Sequence, residues 1–596
     1  MTSRRHALPL SASAMTMRFI LSSVAALFLS ACATIPAPVS PAQTPQTATV
    51  RIIGLNDFHG NLEPFPRLSQ VPVADGKSEQ AQLAGAAYLA SAVAEARTQN
   101  AYNMVIAAGD LIGASPLASS IFLDEPTIGA MNRIGLDFNA VGNHEFDRGW
   151  QELQRMQNGG CTQYTLRQPC QVEQPFPGAK FRFLAANVIM PGGETLFAPY
   201  GIKRFGTGAA QVSVGVIGLT LKDTPSLVTP SGVDGLTFLD EADTINALVP
   251  RLEAEGADAI VVSIHQGLST EVGVNDKSCG GVSGALLDIL ARLDPRVDVV
   301  ISGHTHRAYV CDYSAIDPSR KFLVTSAGYG GSLLTDIALT VDLARNDVIA
   351  ASADNVVVQS QGRDAAGAPV PANPAFRQYA PDPQVAEYVS TYVAASREAA
   401  QRPVGKVSGS AADPGPATEE TQLGNLIADA QLFATRAQGA QIAFMNNSGV
   451  RTPMNAAADG TVTYGDIYSV QPFGNTLITK SFTGAQLLAL LEQQFDDDGF
   501  AQTFSPSEGF AMRYDMRRPS GSRLVAASLD GKPINPAATY RVTMNSFLAA
   551  GGDGFTVFAD GTNVVTGPVD LDAMEAYLRA VPLRQLPETG RVTEAK

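Results

Sequence analysis

Val297-Asp298-Val299-Val300-Ile301-Ser302-Gly303-His304-Thr305-His306 joins a short apolar run to a polar tip with two histidines. The pattern recurs along the first half of the chain. Asn56-Asp57-Phe58-His59 follows the apolar run 50–55, Gly109-Asp110 follows 104–108, and Ser263-Ile264-His265 closes the run that starts at 259. Further runs lie at 181–186, 212–219 and 321–325, with helix-like stretches between several of them at 85–97, 126–134, 240–255 and 283–292. Strands alternating with helices indicate an α/β layered domain. Most of the polar motifs sit just past the C-terminal ends of the runs, where open α/β sheets bind their ligands.

The chain has six histidines; His6 lies in the leader, and the other five fall in this first half. The remaining motif there is Gly142-Asn143-His144-Glu145. A lone histidine after a strand is ordinarily a satisfied core or surface residue. Five of them, interleaved with Asp57, Asp110 and Asn143, point instead to a metal centre. In extended chain, D-x-H and H-x-H put both side chains on one side. Imidazole, carboxylate and amide donors suit Zn²⁺, Mn²⁺ or a similar divalent ion better than a thiolate zinc or an all-oxygen calcium site. Even with His144 set aside, seven candidate ligands exceed one ion's needs, so two ions ~3.5–4 Å apart sharing a carboxylate are expected.

The 596 residues exceed what one core organises, and 45% hydrophobic with 17% charged residues fits a folded body. Lys plus Arg number 42 against 57 Asp plus Glu, a net −15 that repels polyanions and excludes nucleic acid as the expected partner. An anionic substrate therefore needs a local positive centre. Residues 1–31 read as an export signal, with Arg4, Arg5 and Arg18 before the apolar run 19–29. Leu29-Ser30-Ala31-Cys32 resembles a lipoprotein cleavage box, making Cys32 the lipidated anchor to the membrane; an ordinary secretory signal is the alternative. Residues 32–48 read as a tether, and Ala33 after Cys32 favours the outer membrane of the cell envelope. Four cysteines remain, an even number that suits two disulfides in an exported chain. Cys161 and Cys170 flank a short polar insertion and are paired here, leaving Cys279 with Cys311, although three connectivities are open and a thiolate metal site is the rival reading.

The histidine blocks resemble the calcineurin-like metallophosphoesterases, and within them the 5′-nucleotidase/UDP-sugar hydrolase family, in a bacterial lipoprotein member. The resemblance implies a four-layer α/β/β/α metallophosphoesterase domain at 49–360. A connector with a helix follows at 361–401, then an α/β 5′-nucleotidase C-terminal nucleotide-binding domain at 402–590. By the same resemblance Asp57, His59, Asp110 and His306 hold one ion, and Asp110, Asn143, His265 and His304 the other. His144 and Asp147 form a catalytic dyad, while Glu145 is structural. Water on such an ion has its pKa lowered towards ~7, which makes hydroxide available for attack on phosphorus.

The second half adds Asn446-Asn447-Ser448-Gly449-Val450-Arg451, Gln471-Pro472-Phe473-Gly474-Asn475, and a run from Asn545-Ser546-Phe547 to Gly552-Asp553-Gly554. Each alone is turn chemistry. Together they resemble the family's nucleotide pocket, which implies Phe473 and Phe547 stacked on a base. Asp553 would then bind ribose, Asn447 or Asn475 the base or ribose, and Arg451 phosphate. The arginine that the family often places before its Asn-x-Gly segment is missing from 417–425, which puts diphosphate substrates in doubt. The expected function is an exported, membrane-anchored hydrolase of nucleoside 5′-monophosphates, serving nucleotide catabolism. UDP-sugar or 2′,3′-cyclic nucleotide diesters are alternative substrates, and a catalytically silent nucleotide-binding lipoprotein is the alternative from another class. With base reader and metal site on separate domains, a hinge near 383–402 is expected to close the site.

Overall fold

The computed structural model describes residues 47–595, except 74–75, 166, 229–231, 271, 363–367, 410–418 and 498–501. The leader, Cys32 and most of the tether lie outside the described residues, as do Ala417 and Thr418.

Two six-stranded sheets form the first half. One runs in the order Asp347–Val357, Leu333–Asp342, Thr47–Leu55, Asn103–Ala107, Phe138–Ala140, Arg182–Leu184. The other runs Ala308–Asp312, Leu323–Ala327, Val299–Ser302, Ala259–His265, Val212–Thr220, Tyr200–Phe205. Their inner faces meet in one apolar layer that includes Ile52, Ile106, Val261, Ile301 and Ile337, all at most 1% exposed. Outside the first sheet, the helices Ala86–Thr98 and Glu125–Ile134 bury Leu89, Val93, Ile128 and Met131 against it. Outside the second, Glu241–Ala254 and Leu286–Leu290 bury Ile245, Val249, Leu252 and Leu286. The result is helix, sheet, sheet, helix. Central strands such as Ala259–His265 and Val299–Ser302 are hydrogen-bonded in parallel. Buried on both faces, they carry continuous apolar runs.

The apolar runs mark the parallel strands to within a few residues. The antiparallel pair Leu333–Asp342 and Asp347–Val357 is not among them, although both strands fall inside the expected domain at 49–360. Asp347–Val357 is an edge strand whose outward side chains are exposed along its length, so its apolar signal fades.

The expected connector helix spans Pro383–Gln401. The Asp382 carboxylate caps it by accepting from the Gln384 and Val385 N–H groups, with Pro383 in its first turn. Its buried Tyr388 and Tyr392 hydroxyls donate to Glu173 of the first half, at 2.9 and 3.2 Å. This helix is packed against the first-half helices and is no loose tether. After it come a five-stranded sheet, ordered Phe504–Pro506, Ile442–Asn446, Thr539–Asn545, Thr476–Thr483, Thr562–Val569, and a smaller four-stranded one. The helices Gln422–Thr435 and Asp570–Arg579 pack together, and Gly484–Glu492 buries Leu487, Leu490 and Leu491 in the second core.

Both disulfides form as paired from the sequence, Cys161–Cys170 and Cys279–Cys311. The longer loop, 32 residues apart in sequence, restricts the unfolded chain more. Replacing Cys279 and Cys311 by serine should lower unfolding stability by about 3–4 kcal/mol in urea. A loss below about 1 kcal/mol would show the bridge to be mechanically idle.

Candidate metal centre and substrate cleft

Five histidines and the two aspartates converge as expected, but not in extended chain. Asp57, His59, Asp110, His304 and His306 all take left-handed backbone, with φ of 47°, 45°, 49°, 70° and 57°. Each lies in the turn just beyond its strand, and such turns aim alternate side chains inward at a cost of order 1–3 kcal/mol apiece. Tight glycines make room: a Cβ on Gly142 would lie 2.2 Å from the Asp110 carboxylate, and one on Gly109 2.6 Å from His265 Nδ1.

Two ligand groups result, Asp57 with His59 and His306, and Asp110 with His265 and His304, the donor atoms within each lying inside 4.8 Å. Asp110 Oδ2 is 2.9 Å from His265 Nε2 and 3.6 Å from His59 Nε2, so its carboxylate reaches both groups. His306 Nε2 lies 3.4 Å from Asp57 Oδ1. Asn143 Oδ1 stands 3.1 Å from His265 Nε2 and 3.2 Å from His304 Nδ1, inside the second group. Backbone carbonyls orient the rings: Gly113 O is 2.9 Å from His59 Nδ1, and Ala108 O 2.7 Å from His265 Nδ1.

These residues fit divalent cations. His59 Nε2 is fully buried with no hydrogen-bond partner among the described residues, although it faces two carboxylates, which is costly for a polar atom unless something else binds it. Burial pushes His59 down to about 3, and burial with neighbouring His265 pushes His304 down to about 4, so both rings are neutral and ready to ligate. Against the pull of burial, Asp110 raises His265 to about 10. Burial likewise opposes ionisation of Asp110, but His265 and His144 outweigh it and hold the carboxylate well below its usual range. The site supplies its own counter-charge as a proton on His265, which a cation would displace.

His144 Nδ1 lies 3.1 and 3.0 Å from the two Asp147 oxygens, and the Ala114 N–H donates to Asp147 Oδ2 at 3.2 Å. Burial works against protonation of His144, yet Asp147 and Asp110 raise its pKa. Glu145 accepts from the N–H groups of Asp110, Leu111 and Gly142 at 2.9, 2.9 and 2.7 Å, fixing the loop behind the centre and taking no place in the cleft.

The cleft between the halves is lined by His144, Asp147 and His304 on one side and by Arg451, Phe473, Asn475, Phe547 and Asp553 on the other. Phe473 stacks on His144, ring centres 5.8 Å apart and planes 17° from parallel, and the Arg451 guanidinium lies 5.8 Å over the same phenyl ring. Asp553 Oδ2 accepts from Asn446 Nδ2 at 2.8 Å and Ser448 Oγ at 2.7 Å. Asn475 Oδ1 accepts from Ser546 Oγ at 2.9 Å, tying the two phenylalanine loops together.

Asn447 is the exception. Its Oδ1 accepts from Ser505 Oγ at 2.9 Å and its Nδ2 donates to Glu419 O, which turns it away from the cleft. Asn446, one residue earlier and at the end of its strand, lines the cleft instead. The strand ends at Asn446 and a 3-10 turn begins at Asn447, and the motif could not fix where the one gives way to the other. Sequence reasoning also missed Gln471 and Asp570, which line the same cleft. Gln471 begins the Gln-Pro-Phe-Gly-Asn motif, whose aromatic residue draws the attention. Asp570 opens a helix, where an acid reads as an ordinary cap.

Paired ligand clusters at the strand ends of two packed sheets, facing an aromatic cleft, define a metallophosphoesterase architecture with a second, substrate-facing half. Residues 50–308 match the family described as calcineurin-like phosphoesterase, and 403–560 match the 5′-nucleotidase, C-terminal domain. The chain belongs to the calcineurin-like metallophosphoesterases that carry a 5′-nucleotidase C-terminal domain. The 5′-nucleotidase precursor of Thermus thermophilus is 25% identical, with a TM-score of 0.70 over 92% of this chain and 99% of that one. Endonuclease YhcR of Bacillus subtilis is 29% identical over 89% of this chain, which spans only 40% of that protein's length. Cell wall protein Lmo0130 of Listeria monocytogenes is 28% identical over 89% of this chain and 67% of its own.

Proposed function

We propose that the protein is an extracytoplasmic, metal-dependent phosphoester hydrolase that releases phosphate from nucleoside 5′-monophosphates. The observation that carries this reading is the stack of Phe473 on His144, which joins the ligand clusters to the aromatic cleft in one continuous site.

In this reading Asp57, His59, Asp110 and His306 hold one cation, and Asp110, Asn143, His265 and His304 the other. Two divalent cations against two carboxylates leave about +2 to attract a phosphate dianion on a protein of net −15. When bound, such cations polarise phosphoryl oxygen and lower the pKa of water. The chain's own groups do the rest. His144, its pKa raised by Asp147, donates to a phosphoryl oxygen and stabilises the charge that grows there. Arg451 adds a planar fork for the same group. Phe473 and Phe547 hold the base, at about 1–3 kcal/mol per stacked face. Asp553, with Asn475 and Asn446 rather than Asn447, receives the ribose.

Export is supported by the two disulfides and by the cell-wall relative. Lipidation at Cys32 and outer-membrane anchoring rest on the sequence. Among the described residues no helix is long and apolar enough to cross a membrane. The YhcR relative's name raises nuclease activity, but net −15 disfavours a polyanion. Residues 417–425 hold no arginine, which favours one phosphate over two.

The test is phosphate release with Mn²⁺ or Zn²⁺ from AMP, compared with cleavage of UDP-glucose, 2′,3′-cyclic AMP and DNA. AMP should give the highest kcat/KM. Phe473→Ala should raise its KM about tenfold, the loss of one stacking face. Faster cleavage of any diester would overturn the monophosphate assignment.

A further inference from the structure

The cleft contains two buried polar groups that the reading above leaves without work. Gln471 is 2% exposed, lines the cleft, and has no hydrogen-bond partner for either side-chain amide atom among the described residues. Its backbone N–H is already used, donating to Ile467 O at 3.1 Å, so only the carboxamide is free. Asp570, 5% exposed, lines the same cleft at the start of the helix Asp570–Arg579. Its N–H donates to Asn475 O at 2.8 Å, and its Oδ1 accepts from the Leu571 N–H at 2.7 Å.

Both residues adjoin the aromatic platform. Gln471 stands two positions before Phe473. Asp570 is bonded to Asn475, whose side chain accepts from Ser546, the neighbour of Phe547. A carboxamide sealed from solvent without partners is rare in folded proteins, and a ligand that supplies a donor beside an acceptor completes it. Glutamine meets such a pair on the N6/N7 edge of adenine. A carboxylate has only acceptors, so it takes an exocyclic amino group and repels a carbonyl oxygen at the same place.

We propose that Gln471 and Asp570 read the edge of the base held between Phe473 and Phe547, selecting a 6-aminopurine over its 6-oxo counterpart. This rests on the nucleotidase reading and adds a substrate preference to it. Burial raises the Asp570 carboxyl to about 7, so assays at pH 8 keep it ionised.

The experiment compares kcat/KM for AMP and IMP, which differ in that amino-to-oxo exchange and in the proton it places on N1, in the metal-loaded wild type, Gln471→Met and Asp570→Asn. p-Nitrophenyl phosphate serves as a base-free substrate for the wild type. The wild type should prefer AMP by about 10- to 100-fold, and each variant should bring the ratio close to one. Calorimetric binding of adenosine and inosine provides the same ratio for a variant whose turnover is weak. Equal use of AMP and IMP by the wild type overturns the base-edge inference and leaves the nucleotidase reading standing. So does an equal fall for both nucleotides in the variants, which marks a structural role. Hydrolysis of p-nitrophenyl phosphate with no release from either nucleotide overturns both.

Discussion

Asp110→Asn should lower kcat on the order of 10⁴-fold and reduce bound metal from two ions per chain to one or fewer. The substitution keeps the shape of the side chain and removes one negative charge where it matters most. Asp110 Oδ2 approaches His265 Nε2 at 2.9 Å and His59 Nε2 at 3.6 Å, one ring from each ligand group. Its Oδ1 accepts the His144 N–H at 2.9 Å, so the same side chain also anchors the loop of the dyad. Elemental analysis beside steady-state kinetics separates the outcomes. Two ions retained with activity within tenfold would mean that Asp110 does not bridge.

His144→Ala should behave differently: kcat falls by about 10²–10³-fold while metal content is unchanged. The imidazole lies outside both ligand groups, and its Nδ1 is committed to Asp147, leaving Nε2 for a phosphoryl oxygen. Because Asp147 and Asp110 raise the pKa of the ring against the cost of burial, its loss removes a group disposed to carry positive charge near the phosphate. Asp147→Asn should show a smaller, roughly tenfold loss, with the optimum moved to lower pH as the imidazole pKa falls. Full activity in His144→Ala would remove the dyad from the mechanism.

The sequence carried much of this because the chemistry sits where chain direction puts it. Apolar runs such as 259–264 ending in His265 locate both a strand and its ligand, since a parallel strand's carboxyl end must face the crevice. What escaped was set by geometry rather than by residue type. Nothing in D-x-H announces positive φ at Asp57 and His59, and an extended strand would have satisfied the same letters. The choice between Asn446 and Asn447 turns on where the strand stops and the 3-10 turn begins, which the letters do not mark. Gln471 and Asp570 were hidden for a third reason: the Gln471 carboxamide stands out by lacking a partner among the described residues, which leaves no trace in composition, and Asp570 at a helix start reads as a cap. Asp347–Val357 was lost because an edge strand shares its outer face with water.

The left-handed turns at the centre have a consequence for loading. Chain torsion at Asp57, His59, Asp110, His304 and His306 is already set to the receiving geometry in the folded protein, enforced by the sheets on which the turns stand. Ordering these loops is therefore completed when the domain folds, so capture of a cation carries little further cost in chain entropy.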